Sequence, residues 1–433
     1  MLLIGGSVRA AAEDAATAGY RIVAVDRFGD YDLRAIGATW IPLRQGDEWL
    51  AAAKCHAGPI VPTGGFLWPA GPLDEQLRQR VAYPPPDRLA ASREPDTLQA
   101  IARQAGIRFP ETRPVTPRAI SSLPDPAAWL VKPVAGTGGA GIRSLADGPR
   151  RGQAGSPGND HYLQRRLLGR TIGVSYFSRD GSSRSHTRRL GIYAGLTHRR
   201  NPQHRWLYGG SIGPFDTDWP DRDAAHGPLA DLGQAVAEAF GLVGLFNIDL
   251  IRQPDDSLWL LEINPRYSAS MELLVQEPNS RSRSLIDAHL AAHQERAGTI
   301  DIVEAERRIG WLSGDTPLVP AGHIACKRIV YARRTLTIPS DPLDWRRRAG
   351  LWPVDSAPQS PLAVDGRFQI TLHDLPAPTL STASPTGHDV GPPAGPAEVV
   401  EAGMPLLTII VRGSGHIRDC LRIARQIESR IAG

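Results

Sequence analysis

The stretch that decides the fold is Trp259-Leu-Leu-Glu-Ile-Asn-Pro-Arg-Tyr-Ser-Ala-Ser-Met271. Its polar residues at alternate positions are Glu262, Asn264 and Arg266. Apolar Leu261 and Ile263 stand between them. Because side chains of a strand alternate between two faces, this spacing predicts a strand with a polar, ligand-facing side and an apolar side backed by a core.

A second candidate strand, residues 245–251, precedes this stretch, and the turn-forming residues 254–257 lie between the two. A hairpin centred on Asp255 and Asp256 would place Asp249 opposite Glu262, and Asn247 opposite Asn264. Like charges so placed repel, so a cation is expected between them. Magnesium fits because it takes oxygen ligands from one or two carboxylates and from substrate phosphates. The alternative is a solvated surface hairpin.

The composition is that of a globular protein of two or three domains, with 433 residues, 41% hydrophobic and 22% charged. No apolar run approaches the roughly 18 residues that span a bilayer. Glycines at 5 and 6 and acids at 13 and 14 argue against a secretory signal, so we expect a cytoplasmic protein. Three scattered cysteines, Cys55, Cys326 and Cys420, indicate neither a disulfide framework nor a zinc site.

Residues 165–205 contain ten arginines and one acid, Asp180. A nucleic-acid surface would fit this charge, yet no recognised binding motif accompanies it. A basic wall around a small polyanion such as a triphosphate fits as well, and so does an exposed face without function. We expect small-molecule partners rather than nucleic acid.

Residues 1–110 have the pattern of an α/β unit. A strand at 2–4, a glycine turn, a helix at 8–18 and a strand at 21–25 ending at Asp26 also outline a dinucleotide fold. The GxGxxG pattern is absent, so a scaffold or substrate-facing role is favoured over NAD binding. A further strand at 59–62 runs into Thr63-Gly-Gly-Phe66, a glycine turn where open α/β sheets place ligands.

A glycine loop follows the predicted strand 129–134, and its glycines are Gly136, Gly138, Gly139 and Gly141. Such a loop lets backbone N–H groups turn toward a phosphate. Lys132 precedes it, although the chain has only three lysines among 49 lysines and arginines. A lysine before the glycines is not the Walker A order, so this is a different way of holding ATP. A flexible hairpin with an incidental lysine is the alternative.

These elements together resemble the ATP-grasp superfamily. The resemblance rests on Lys132 with its glycine loop, the segment Tyr162-Leu-Gln-Arg-Arg-Leu-Leu-Gly169, Asp249, and Glu262-Ile-Asn-Pro-Arg266, in this order. It implies a chain of α/β and α+β class: an N-terminal Rossmann-like domain (1–110), an ATP-grasp domain of two α+β subdomains (111–300), and a small β-rich C-terminal domain (301–433).

The resemblance also implies roles for individual residues. Lys132 would contact the α- and β-phosphates of ATP, and the loop from Gly136 to Gly141 would close over them. The hinge residues Gln164, Arg165 and Leu167 would hold adenine. Asp249, Glu262 and Asn264 would bind Mg²⁺. Arg266 would meet the γ-phosphate or an acyl phosphate.

The implied reaction is activation of a carboxylate by the γ-phosphoryl group, followed by attack of an amine to give an amide and ADP. The enzymatic alternatives are an ATP-grasp carboxylase and a ligase with a thiol acceptor, and a further alternative is a regulatory ATP-binding protein. The chain departs from the family pattern in having Arg93 where an ATP-contacting lysine is common, and Arg165 where an acid is common. The glycine-turn N-terminus and the strand 208–214 resemble the small ligases of methanofuran-type cofactor synthesis, such as tyramine–glutamate ligase.

The C-terminal third contains predicted strands at 323–331 and 404–411, and a closing helix at 417–427. Residues 355–396 are rich in Pro, Gly, Ser and Asp and are predicted to be irregular. Lys327 is interpreted as a solvated lysine rather than a site residue. The sequence does not name the carboxylate or the amine, and a homodimer is compatible with it.

Overall fold

The computed structural model describes residues 1–44, 48–66, 68, 73–148, 160–179, 186–197, 205–215, 227–274, 283–312, 318–351, 361–364, 367–376 and 399–432. Within these ranges, no helix is both long and apolar enough to cross a membrane.

The N-terminal part is built on a parallel sheet with strand order β3-β2-β1-β4. Its elements are β1 (Leu2–Ile4), α1 (Arg9–Thr17), β2 (Val23–Asp26), α2 (Tyr31–Ala35), β3 (Thr39–Pro42), α3 (Glu48–Cys55), β4 (Ile60–Pro62), α4 (Glu75–Gln79) and α5 (Pro86–Ala91). Alternating strands and helices with parallel pairing confirm the predicted Rossmann-like arrangement.

A small antiparallel sheet of order β5-β8-β6-β7 follows. Its elements are α6 (Pro95–Gln104), β5 (Thr112–Pro114), α7 (Pro117–Ser121), β6 (Trp129–Pro133), β7 (Arg143–Ser144) and β8 (His161–Arg165). Pairing of Leu130 with Gln164 places the lysine strand β6 directly beside the hinge strand β8.

The largest sheet has nine strands in the order β13-β12-β9-β10-β11-β14-β19-β17-β16, with antiparallel neighbours throughout. Its first strands and helix are β9 (Arg170–Arg179), β10 (His186–Thr197), β11 (Tyr208–Gly213), α8 (Pro228–Phe240), β12 (Gly244–Arg252) and β13 (Leu258–Asn264). Helix α8 buries Leu229, Leu232 and Val236 against Tyr176 and Phe246 of this sheet. That packing gives these strands a buried apolar face.

The C-terminal elements add four strands to the same sheet, and their two short strands pair with each other in a separate sheet. They are α9 (Leu285–Arg296), α10 (Ile302–Ile309), β14 (His323–Tyr331), β15 (Leu336–Thr337), α11 (Leu343–Ala349), β16 (Leu362–Val364), β17 (Phe368–His373), β18 (Val399–Val400), β19 (Pro405–Ser414) and α12 (Ile417–Ile431). The predicted strand 323–331 and the closing helix are confirmed.

The prediction that 355–396 is irregular was wrong for its described strands. Strand β17 buries Phe368, Ile370 and Leu372 at alternate positions, which is the pattern of a sheet strand with one buried face. It pairs with β19 and with β16, so these residues extend the main sheet. Because Pro and Gly are abundant in the surrounding sequence, the short alternation of apolar and polar residues in this strand was not recognised. The other residues of the segment, apart from 361, 367 and 374–376, lie outside the described ranges.

Candidate active site

A cavity of about 1000 Å³ lies where the parallel sheet, the small sheet and the nine-stranded sheet meet. Nearly all the residues predicted from the sequence to hold ATP or metal are on its wall: Lys132, Gly136, Gly138, Gly139, Gln164, Arg165, Leu167, Asp249, Glu262, Asn264 and Arg266. Gly141 is not among the lining residues. It lies at the base of the loop, where an added Cβ would come within 3.2 Å of Pro133 Cγ.

The hairpin register is the one predicted from the sequence. Strands β12 and β13 pair Asp249 with Glu262 and Asn247 with Asn264. Burial raises the pKa of the Asp249 carboxyl well above its ordinary value, and the facing Glu262 raises this pKa further. A half-buried pair of facing acids is stabilised by a shared proton or by a cation. The donor set therefore fits a divalent metal ion.

The amide of Asn264 joins this pair. Its Nδ2 donates to Asp249 Oδ2 at 3.0 Å and to Glu262 Oε1 at 3.3 Å, while its Oδ1 accepts from Arg266 Nη2 at 2.8 Å. Binding a metal through Oδ1 would require the amide to rotate by half a turn, since the nitrogen now faces the carboxylates. The metal role of Asn264 stays a prediction.

The core-facing position predicted for Leu261 was wrong. The pairing register shifts between Asp249 and Leu250, so that Leu250 faces Leu260 and Leu261 has no partner across the hairpin. Such a bulge resets the alternation of the strand. Leu260 and Ile263 therefore enter the core, whereas Leu261 joins Glu262 on the cavity wall.

Lys132 is buried, with 6% of its surface exposed, and its Nζ donates to Gln164 Oε1 at 3.0 Å. The other end of the Gln164 amide, Nε2, is buried without a hydrogen-bond partner in the described structure. Because unpaired buried donors are costly, this group favours a ligand acceptor in the cavity. Lys132 and Gln164 thus place a cation and an amide donor side by side on the cavity wall.

The glycine loop owes its shape to positive φ angles at Gly138, Gly139 and Gly141. At Gly139 an added Cβ would lie 1.9 Å from the carbonyl oxygen of Trp206, so only glycine fits there. The loop is tied to the large sheet by a hydrogen bond of 2.9 Å from Tyr208 N to Gly138 O. This contact fixes the loop over the cavity.

In the hinge after β8, two backbone N–H groups are already hydrogen-bonded within the protein. The N–H groups of Arg165 and Arg166 donate to the carbonyl oxygens of Glu111 and Ala128, each at 2.8 Å. A nucleotide base bound here cannot accept hydrogen bonds from those two N–H groups. Half-buried Leu167 follows them on the cavity wall.

Arg266 lies between the glycine loop and the N-terminal turns. Its Nη2 approaches Thr137 Oγ1 at 3.4 Å, and a Cβ added to Gly64 would lie 3.6 Å from its Cζ. The two glycine turns support each other through a 2.6 Å hydrogen bond from Gly6 N to Gly64 O. Arg93, which stands in place of the usual lysine, also lines the cavity.

The Arg-rich stretch is not one wall of the site. Of its described arginines, Arg165 and Arg166 line the cavity. Arg179 instead forms ion pairs with Glu295 and Glu306 at 2.8 and 2.5 Å. Asp180 and three of the arginines lie outside the described ranges.

Asp26 has a structural role. It is fully buried, and its carboxylate accepts from the backbone N–H groups of Val8, Phe28 and Gly29 at 2.7 to 2.8 Å. These bonds hold the loop after β2 against the start of α1. The interpretation of this unit as a scaffold or substrate-facing element, rather than a dinucleotide site, is consistent with that arrangement.

A buried charge network at the N-terminal end of the cavity was not found from the sequence. Arg9 of α1 donates to Asp374 Oδ1 at 2.9 Å and also bonds Glu272. Lys327 contacts the other oxygen of Glu272 at 2.5 Å. Burial alone would raise the pKa of Glu272, but Arg9 and Lys327 hold it well below its usual range.

The interpretation of Lys327 as a solvated lysine was wrong. It is 4% exposed and lines the cavity. Its rarity was the available signal, since it is one of three lysines and lies in the middle of an apolar strand. The distance in sequence between Arg9, Glu272 and Lys327 concealed the network.

Comparison with known proteins agrees with this geometry. Residues 96–270 match the family model of the ATP-grasp domain. The chain therefore contains an ATP-grasp domain. The matched range begins and ends earlier in the sequence than the predicted domain 111–300. The domain bounds stay a prediction.

Solved structures with the same fold extend the comparison to the whole chain. N5-carboxyaminoimidazole ribonucleotide synthetase from Thermotoga maritima is 13% identical, with a TM-score of 0.57, over 99% of this chain and 97% of that chain. L-amino acid ligase from Bacillus licheniformis is 15% identical, with a TM-score of 0.57, over the same shares.

The N5-carboxyaminoimidazole synthase from Aspergillus clavatus, in complex with ADP and 5-aminoimidazole ribonucleotide, is 12% identical, with a TM-score of 0.60, over 100% and 99% of the two chains. At these identities the likeness shows the fold alone. No curated protein sequence matches the chain significantly.

Proposed function

We propose that the protein is an ATP- and Mg²⁺-dependent ligase that joins a carboxylate to an amine through an acyl phosphate. The observation that carries this proposal is the opposition of Asp249 and Glu262 in the cavity that also holds Lys132 and the glycine loop. A half-buried acid pair beside a cation and a glycine loop suits a metal–triphosphate complex.

Four groups of this chain would hold the nucleotide, and two carboxylates would hold the metal. Lys132 would bind phosphate oxygens as a compact cation, and the backbone of Gly136, Gly138 and Gly139 would close over them. The unpaired Gln164 Nε2 would donate to the nucleotide, and Leu167 would pack on the base. When bound between Asp249 and Glu262, Mg²⁺ would neutralise charge on the phosphates.

The reaction follows from this arrangement. The substrate carboxylate oxygen attacks the γ-phosphorus, the bond to the β-phosphate oxygen breaks, and ADP leaves. The neutral amine nitrogen then attacks the acyl carbon, the carbon–oxygen bond to phosphate breaks, phosphate leaves, and the nitrogen releases one proton to phosphate or solvent. Arg266, which lies between Thr137 and Gly64, would stabilise the transferring phosphoryl group.

A carboxylase is the second candidate, because several solved structures of this fold are carboxylases or carboxyaminoimidazole synthetases. It would use bicarbonate as the carboxylate and share the nucleotide residues. A non-catalytic nucleotide-binding protein would keep the pocket without turnover, and Arg93 in place of lysine is the feature that favours it. A narrower form of the ligase proposal is a role in methanofuran-like cofactor synthesis, with an amine such as tyramine and glutamate as substrates.

The deciding experiment measures ADP release with Mg²⁺, ATP, a panel of carboxylic acids and a panel of amines. The ligase proposal predicts release that needs both an acid and an amine. Release with bicarbonate and an amine alone would favour the carboxylase. ATP binding without release under any of these conditions would leave the nucleotide-binding protein and contradict both enzymes.

A further inference from the structure

Asp30 occupies the N-cap of α2 but does not cap it. Aspartate at this position commonly accepts a hydrogen bond from a backbone N–H of the first helical turn. The side chain of Asp30 makes no such bond. It is 4% exposed and lies instead on the wall of the cavity.

The acids around Asp30 are all engaged. Asp26 accepts three backbone N–H groups, and Asp32 accepts those of Asp374 and Leu375 at 2.9 and 3.2 Å. Asp374 is paired with Arg9. Asp30 differs from them, because its Oδ2 is buried without a hydrogen-bond partner in the described structure.

Among the described residues, neither Arg9 nor Lys327 forms a hydrogen bond or an ion pair with this carboxylate. Arg9 has its contacts with Glu13, Asp374 and Glu272, and Lys327 has its contact with Glu272. Arg27 is an exposed arginine on the same loop, and no bond from it to Asp30 occurs among the described residues. Burial, followed by Asp374, Asp32 and Asp26, raises the pKa of Asp30 well above its ordinary value, and the charge of Arg9 offsets only part of this rise.

A divalent metal ion is a poor occupant for this place. Such ions take six or more oxygen ligands. The oxygens of Asp26 and Asp32 are occupied by backbone donors. One open carboxylate suits a single positively charged donor, which an ammonium group supplies.

We propose that Asp30 binds the amine substrate as its ammonium form at the N-terminal end of the cavity and accepts one proton from it, so that the neutral nitrogen can then attack the acyl carbon. This inference rests on the ligase function proposed above. The cavity then has two ends of opposite character, with Lys132 and Arg266 toward the nucleotide and Asp30 toward the amine. The carboxylate gives the parallel sheet a part in substrate binding.

The test distinguishes an effect on amine binding from an effect on nucleotide binding. ADP release is measured at varied amine and at varied ATP for the wild type, Asp30→Asn and Asp87→Asn, an exposed control on α5. Loss of a charge-assisted hydrogen bond should raise KM for the amine roughly 10-fold or more in Asp30→Asn. KM for ATP should stay unchanged, as should both constants in the control.

An unchanged KM for the amine in Asp30→Asn would overturn the inference. The substitution keeps the shape of the side chain and removes an unpaired charge, so the variant should fold. Unfolding of Asp30→Asn would reveal a structural partner for the carboxylate and would also overturn it. Asp30→Ser provides a second variant with the same expected rise in KM.

A binding measurement distinguishes failure of this inference from failure of the ligase proposal. If no amine supports ADP release, thermal unfolding is followed with ethanolamine and with its uncharged N-acetyl derivative. Stabilisation of the wild type by ethanolamine alone, lost in Asp30→Asn and kept in Asp87→Asn, would support the ammonium site. Equal behaviour of the two compounds, or of the wild type and Asp30→Asn, would contradict it.

Discussion

Asp249 of β12 lies directly opposite Glu262 of β13, and both carboxylates face the cavity that contains Lys132. The pKa of Asp249 is raised by burial and by Glu262. The unfolded chain loses the proton of the Asp249 carboxyl at a lower pH than the folded protein does. The free energy of unfolding of the metal-free protein therefore falls as the pH rises above 3.8. The site is thus prepared for a cation at an energetic cost to the fold.

The substitution Asp249→Asn should therefore have opposite effects on stability and on ligand response. At neutral pH with a chelator, scanning calorimetry should show an unfolding midpoint roughly 1–3 °C above that of the wild type, because the buried acid is removed. Addition of Mg²⁺ and ATP should raise the wild-type midpoint and leave that of the variant nearly unchanged. A variant that keeps the full Mg²⁺–ATP shift would contradict the assignment of Asp249.

Lys132 is predicted to bind ATP phosphates. Lys132→Met should weaken ATP binding roughly 10- to 100-fold, since it removes a charge-assisted hydrogen bond. Isothermal titration with ATP and Mg²⁺ provides the measurement. Lys54→Met is the matched control, because Lys54 is exposed on α3 away from the cavity. Equal affinity in the two variants would remove Lys132 from the site.

The glycine loop offers a pair of matched substitutions. Gly138 and Gly139 both have positive φ, at 58° and 78°, but an added Cβ meets no atom within 4 Å at Gly138 and lies 1.9 Å from Trp206 O at Gly139. Gly139→Ala should displace the loop and raise KM for ATP several-fold more than Gly138→Ala does. Equal constants for the two variants would show that the contact with Trp206 does not position the loop.

His373 couples stability to pH at the N-terminal end of the cavity. Burial and Arg9 lower its pKa, but Glu13 and Asp32 outweigh them and raise it from 6.5 to about 9. A raised folded-state pKa means that the stabilisation is complete below 6.5 and is lost as the pH rises toward 9.

Thermal unfolding between these two pH values should therefore show a falling midpoint, and His373→Gln should flatten part of that fall. Asp249 contributes a fall of the same sign, so the comparison is made in the Asp249→Asn background. Identical pH profiles with and without His373→Gln would exclude the histidine as the cause.

The sequence predicted local features well and distant contacts poorly. The opposition of Asp249 and Glu262 followed from counting residues across a short turn, and Lys132 with its glycines followed from neighbours in the chain. The bulge at Leu261 could not be foreseen, because an extra residue in a strand leaves no fixed signature in the pattern. The role of Arg9 depends on contacts with residues more than 200 positions away in the sequence. The role of Asp30 depends on the absence of a helix-capping hydrogen bond from its side chain.

The most direct test of the central claim is ADP release by the wild type and Glu262→Gln, with Glu238→Gln as an exposed control on α8. With an acid, an amine, ATP and Mg²⁺, turnover of Glu262→Gln should fall roughly 100-fold or more, as expected on loss of a metal ligand. The control should match the wild type, and a chelator should abolish release in both. Full turnover by Glu262→Gln would contradict the magnesium site on which the ligase proposal depends.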